Sequence, residues 1–480
     1  MSRGLIGLSL ALVAFRVLSA AFVVVQPGFT DASYYVDVAR RLAHGQGLTA
    51  DFVWNFLEAP HLDPLPVPSH RFWMPLATAV QAAGIAVLEP LLGTFRSAQA
   101  AIVAAAAFVP AIAYAAARSI GASSRAALVG TMFFLAFARA ATGGVRAGAA
   151  AGLFVGLLFL ARAEGALFGV AVLALAVRPS SRAAGLVGSA VALAIGAAWL
   201  ARGVALGGSP DLLTRTIFLA RYEDFFAIDP TGTVDLTTIV TTRLGALWSD
   251  LVVALFGLMA FLAFPLALGV RSAWRQPAVR AFVGLALLIY VAEGVVWPLH
   301  ATRGSYFHSL AAFYPFAMAL VALGGERWLA HRDQRGRQVA TSATIAAAAA
   351  LAIFGLSTWD TTFNGGYRVR ADALDAIPDG PFLAIDGAAW RWIADRPVLV
   401  TPADGPNAAA CVAARYGAKS VVLEAAHFSA YDGLYRGELV PWLGPPIDRG
   451  TIRIYPVSGD IKVPCAVRAL PDTGREVAVP

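Results

Sequence analysis

The chain has 480 residues, 58% hydrophobic and only 14% charged, with a mean hydropathy of +0.66. A soluble domain is about 45–50% apolar and about 25% charged, so the composition excludes one and points to a membrane protein of many spans. The net charge of +7 comes almost wholly from arginine, since Lys419 and Lys462 are the only lysines. Most arginines stand in short loops between apolar runs, which argues for membrane topology as their origin rather than nucleic acid.

The N-terminal run MSRGLIGLSLALVAFRVLSAAFVVV is long enough to cross a bilayer at about 20 residues. It is too long for a signal-peptide core and lacks a clear small-x-small site. Next comes a polar segment from Pro27 to Pro75, several times the usual loop of two to eight residues. It opens on Asp31, Tyr34 and Tyr35, continues as an amphipathic helical pattern, and closes on His70, Arg71, Phe72 and Trp73. Further apolar runs near 72–92, 97–117, 122–138, 148–161, 164–178, 183–206, 248–270, 278–299, 305–324 and 339–358 bring the expected total to about 11 spans. With Arg3 inside, the inner loops would hold Arg96, Arg139 and Arg146, Arg178 and Arg182, Arg271 to Arg280, and Arg327 to Arg337. That alternation places the 26–71 loop, the loop near 207–247 and the tail after 358 on the outer face. The stretch 148–178, broken at Arg162 and Glu164, reads as two short crossings, a re-entrant pair, or one long helix.

From about 359 to 480 the composition is that of a soluble domain. PFLAI, RPVLV and KSVVLE read as strands, AAACVAARYGA as a helix stopped by Gly417, which together predict a small α/β unit with a parallel pair. Cys411 and Cys465 both lie there, and a disulfide between them fits only a tail outside the cytoplasm. No dinucleotide or Walker fingerprint is present. The expected fold is thus an all-α polytopic domain over 1–358 with a small extracytoplasmic α/β domain over 359–480.

Asp31 can be read in two ways. It precedes a helical pattern and suits an N-cap, while an acid partly desolvated at a membrane boundary gains a pKa useful for a general base. The helix it opens carries an apolar face (Tyr35, Val38, Leu42) and a basic face (Arg40, Arg41, His44), as an interfacial helix does. Arginines at that depth can also pair with phosphate. Arg303 and His308 in ATRGSYFHSL read equally as phosphate ligands and as interface anchors. Glu293 lies within an expected span, and Arg162 with Glu164 suits a local pair.

A span, an Asp a few residues out, YYVDVARRLAHGQGL, and HRFWMPL at the next apolar run together resemble the GT-C membrane glycosyltransferases that use polyprenyl-phosphate sugars. The likeness is to the protein O-mannosyltransferases, the aminoarabinose transferases and the Rgt-type enzymes. GLFVGLLFLARAEGALFG and RGSYFHSLAAFYPF resemble two later motifs of these families. The resemblance implies transfer of a sugar from a lipid phosphate carrier, with inversion, to a glycan, lipid or protein acceptor on the outer face of a plasma or inner membrane. It makes Asp31 the catalytic base and His70 the counterpart of the family's His-Pro-Pro histidine. Tyr34, Tyr35, Arg40, Arg41, His70, Arg71, Arg303 and His308 are the expected substrate-binding residues. A divalent metal is left open. Ala32 replaces an expected second acid, FFLAFARAATGGVRAGAA holds none, and Pro75 is the only proline kept at the second run. Glu58, Asp63 and Glu164 are the candidates for the missing carboxylate. The alternatives are a secondary transporter or lipid-linked-sugar flippase, and a noncatalytic relative that binds glycan lipid.

Overall fold

The computed structural model describes residues 3–59, 62–71, 73–107, 129–206, 221–228, 235–458 and 461. Helices dominate, with a small mixed sheet near the C-terminus. Four helices are long and apolar enough to cross a membrane: Pro179–Ala205, Leu236–Gly257, Pro277–Val296 and Gln334–Ala376. The expected 11 spans are therefore not found among the described residues. Leu76–Leu92, Val145–Ala161 and Ala163–Ala176 are apolar but shorter. Hydropathy does not register backbone breaks, and these account for part of the difference. The run 305–324 is divided by a turn into Ser305–Leu310 and Tyr314–Leu329. The run 248–270 breaks after Gly257, where Met259 and Ala260 take φ of 48° and 51° before Ala263–Ala273 begins. Residues 108–128, which hold parts of two expected spans, lie outside the described residues.

The 148–178 stretch is not one long helix. Val145–Ala161 ends on Arg162 in extended backbone (φ −156°), and the chain turns back through Ala163–Leu167 into Phe168–Ala176. The two ends meet, because a Cβ on Gly143 would lie 2.6 Å from the Ser180 carbonyl oxygen. Arg162 therefore marks the apex of a helical hairpin.

Arg96 is not in an inner loop. Gly93 (φ 74°) turns Leu76–Leu92 directly into Thr94–Ala107. Arg96 then donates to the carbonyls of Ala20, Ala21 and Val24 at the end of the Arg3–Phe22 helix. Open carbonyls at a helix C-terminus carry partial negative charge, so a guanidinium settles there. His44 Nε2 lies 2.7 Å from Glu89 near the same turn. The tip of this hairpin accordingly sits beside the first loop rather than across a membrane from it.

The tail forms strands where expected. These are β4 (Phe382–Ala384), β5 (Val398–Val400) and β6 (Ser420–Leu423), followed by β7 (Ile447–Arg449) and β8 (Ile452–Pro456). β4 pairs in parallel with both β5 and β6, and Pro406–Tyr416 is stopped by Gly417 at φ 65°. The first loop holds β1 (Thr49–Ala50), β2 (Phe52–Val53) and β3 (Val67–Pro68). β1 pairs with β3 inside the loop, whereas β2 joins the tail, giving a six-stranded order β2-β5-β4-β6-β8-β7. Phe52 stands opposite Val398 and Val53 opposite Leu399. Tyr34, Phe52 and Trp54 of the loop share one buried core with Leu383, Leu399 and Val421 of the tail. Loop and tail are one folded body, so both lie on the same side of any membrane the helices cross.

Candidate functional site

Where that body meets the upper ends of the helices there is a cavity of about 150 Å³. Asp31, in the first turn of the Thr30–Ala43 helix, faces it together with Tyr35 one turn on. The Arg162 apex supplies Arg162 and Glu164, and the short helices after Trp297 supply His300, Arg303, Ser305 and His308. Trp54, Trp73 and Tyr222 form aromatic walls. Trp54 and Trp73 stack at 4.0 Å, and Tyr34 meets Trp73 edge-on at 4.6 Å.

The charges are arranged in layers. Arg162 binds Glu164 at 3.2 Å and donates to Ser305 Oγ at 2.6 Å, while Ser305 donates to Glu164 at 3.0 Å. This triangle fixes one cation on the wall. Arg303 lies over the Tyr222 ring at 4.5 Å and has no ion pair among the described residues. Burial pushes the Asp31 carboxyl up to about 6, Arg162 pulls it partly back, and Asp386 of the tail adds to the rise. Burial holds His300 down at about 4. At neutral pH the cavity thus holds the ionised but poorly solvated Asp31 carboxylate, the Arg162–Glu164 pair, the Arg303 guanidinium and two imidazoles, of which burial keeps His300 neutral.

Of the expected site residues, Asp31, Tyr35, Arg303 and His308 come together here. The others do not line the cavity. Tyr34 is fully buried beneath it, and its hydroxyl accepts from the His70 N–H at 2.6 Å. His70 takes φ 59°, its Nδ1 lies 3.0 Å from the Trp73 carbonyl, and burial holds its pKa at about 4. It is a neutral bolt for the loop and does not line the cavity, contrary to the expected substrate-binding place. Arg71 donates to the carbonyls of Glu58 and Leu206 and pairs with Asp63 at 3.3 Å. Arg40 bridges Asp37 and Asp395, each at 2.9 Å, and Arg41 binds Thr49 and Asp51. The basic face expected on a membrane surface is instead bound to carboxylates of the folded body. An amphipathic helix gives the same pattern against lipid or against a protein partner.

Among the three candidates for the missing acid, Glu58 accepts from Trp54 Nε1 at 2.8 Å and Asp63 serves Arg71, so only Glu164 reaches the cavity. The carboxylate that acts on Asp31 comes from the tail, Asp386, which also caps the Gly387–Ala394 helix by accepting from the Ala389 N–H. Its D-G-A-A-W context is legible as a helix cap, but not as a neighbour of a residue 355 positions earlier. Among the described residues, no group of three or more His, Cys, Asp or Glu side chains is placed to hold a metal ion. Cys411 is disulfide-bonded; Cys465, the other cysteine, lies outside the described residues. No family model matches the chain and no curated protein matches it, which leaves the cavity's own chemistry as the guide to function.

Proposed function

We propose that this chain is an integral membrane glycosyltransferase of the GT-C kind, moving a sugar from a polyprenyl-phosphate donor to an acceptor on the outer face. The observation that carries the reading is Asp31, held at about pH 6 in one cavity with Arg162 and Arg303. A general base works best with a pKa near the operating pH. In the proposed step the Asp31 carboxylate takes the proton of the acceptor hydroxyl as its oxygen bonds to the anomeric carbon. The bond from that carbon to the phosphate oxygen breaks on the opposite face, and the configuration inverts. Arg303, which has no ion pair among the described residues, would receive the negative charge left on the lipid phosphate, since guanidiniums bind phosphate through paired N–H donors, while Arg162 stays bound to Glu164 and Ser305. Trp54, Trp73 and Tyr222 offer flat faces for a sugar ring. The disulfide at Cys411 supports an oxidising compartment for the tail, and the shared sheet brings the loop with it.

The test is transfer of labelled sugar from polyprenyl-phosphate donors in membranes holding wild-type protein or Asp31→Asn. Loss of a general base lowers the rate by about 10²–10⁴-fold. Undiminished transfer by Asp31→Asn would overturn the assignment.

A second reading, a flippase for lipid-linked sugar, draws on Asp250 and Glu293, fully buried acids inside two membrane-length helices; such acids often mark transport paths. Scrambling in proteoliposomes that survives Asp31→Asn and is lost in Glu293→Gln would favour it.

A further inference from the structure

A second cavity, of about 230 Å³, lies on the other face of the Thr30–Ala43 helix. Asp31 and Tyr35 look into the first cavity, Thr30 and Ser33 into this one. Its far walls come from the Gly365–Ala371 and Gly387–Ala394 helices of the tail. Four aromatic rings line it: Phe29, Phe363, Tyr367 and Trp392. The charged lining residues are Arg370 and Asp386, which pair at 3.4 Å, and Arg370 is further held by Glu424 at 3.1 Å. Arg370 is thus neutralised twice. An anionic ligand would find no open cation here and would face Asp386. A neutral polyol suits the walls better, its C–H faces against the rings and its hydroxyls against Asp386, Thr30 and Ser33.

We propose that this cavity binds a neutral glycan and holds the non-reacting part of the acceptor. Its position fits that role, because Asp31 stands in the first turn of the helix that both cavities share and the Asp386 charge reaches it. The acceptor role rests on the glycosyl-transfer reading above; the binding of glycan does not.

The experiment uses the full chain in lipid nanodiscs on an array of neutral and anionic glycans. Two variants test the place. Tyr367→Ala removes a half-buried ring, and Gly366→Phe adds one where a Cβ meets nothing within 4 Å. Expected is retention of neutral glycans by wild type, about tenfold weaker in Tyr367→Ala and abolished by Gly366→Phe. Thermal unfolding of both variants should match wild type. Absence of any bound glycan, preference for anionic glycans, or binding unchanged in both variants would overturn the proposal. Glycan binding without sugar transfer would leave the cavity assigned and remove only its acceptor role.

Discussion

Arg391 straddles the Asp51 carboxylate, with Nε at 2.7 Å and Nη2 at 3.0 Å, across 340 positions of chain. The same guanidinium reaches Asp395 at 2.8 Å and Asp37 at 4.0 Å, and it is 6% exposed. Removing it leaves Asp51 with Arg41 and Asp37 with Arg40 as counter-charges, and breaks the two-point contact to Asp51. Arg391→Met is therefore expected to lower stability by about 2–3 kcal/mol, the lower range for a buried pair because Asp51 keeps some solvent. Burial raises the Asp51 pKa, but its hydrogen bond and charge contact with Arg391 outweigh this and hold it below the ordinary 3.8. An acid so depressed stabilises above its unfolded pKa and stops doing so as pH falls through its folded value. Wild type and variant should thus converge in thermal unfolding below about pH 4.

Asp31 has the opposite sign. Its carboxyl binds a proton more tightly in the folded state, about 6 against 3.8, so stability is highest below 3.8 and declines as pH rises through 6. The decline is on the order of 2–3 kcal/mol. Asp31→Asn should therefore unfold at a higher temperature than wild type at pH 7.5, and the two should draw level near pH 4. Transfer by wild type should rise with pH and level off above 6, falling about tenfold per unit below it.

His70 is a base held down at about 4 from 6.5 by burial. The unfolded chain binds the proton first, so stability contributed by neutral His70 is lost as pH falls from 6.5 toward 4. His70→Ala is expected to flatten the acid limb of a melting-temperature profile. It should also loosen the loop by about 2–3 kcal/mol at pH 7.5, because a buried ring beside Tyr34 and Tyr35 is removed. A large rise in donor KM with unchanged melting temperature would contradict this structural role.

Gly152 meets the Arg182–Ala205 helix so closely that an added Cβ would lie 2.0 Å from the Gly188 carbonyl oxygen. Backbone cannot yield as a side chain does, so Gly152→Ala should cost about 1–3 kcal/mol or more. Gly196 of the Arg182–Ala205 helix has nothing within 4 Å, and Gly196→Ala should be neutral to slightly stabilising by helix propensity. Detergent melting of the two variants separates the cases.

The tail was the most legible part, since β4, β5 and β6 are β-branched or aromatic runs bounded by proline and glycine, and Gly417 stops its helix where expected. Asp31, Arg303 and His308 were legible because polar groups between apolar runs gather at the ends of helices. Three features were not. β2 is a two-residue strand with no pattern of its own. Arg40 and Arg41 give the same amphipathic signal whether acids or lipid headgroups face them. The turns at Met259 and Phe313 interrupt apolar runs without changing their hydropathy.

The placement of Phe52–Val53 beside Val398–Leu399 also sets the order in which the protein can be made. A ribosome releases the Asp31 loop early, yet that loop has no sheet to join until more than four-fifths of the chain has been translated and its tail delivered to the same side. The second cavity, walled by the tail helices, is therefore finished last, and a nascent or truncated chain lacks the sheet that β2 of the loop joins.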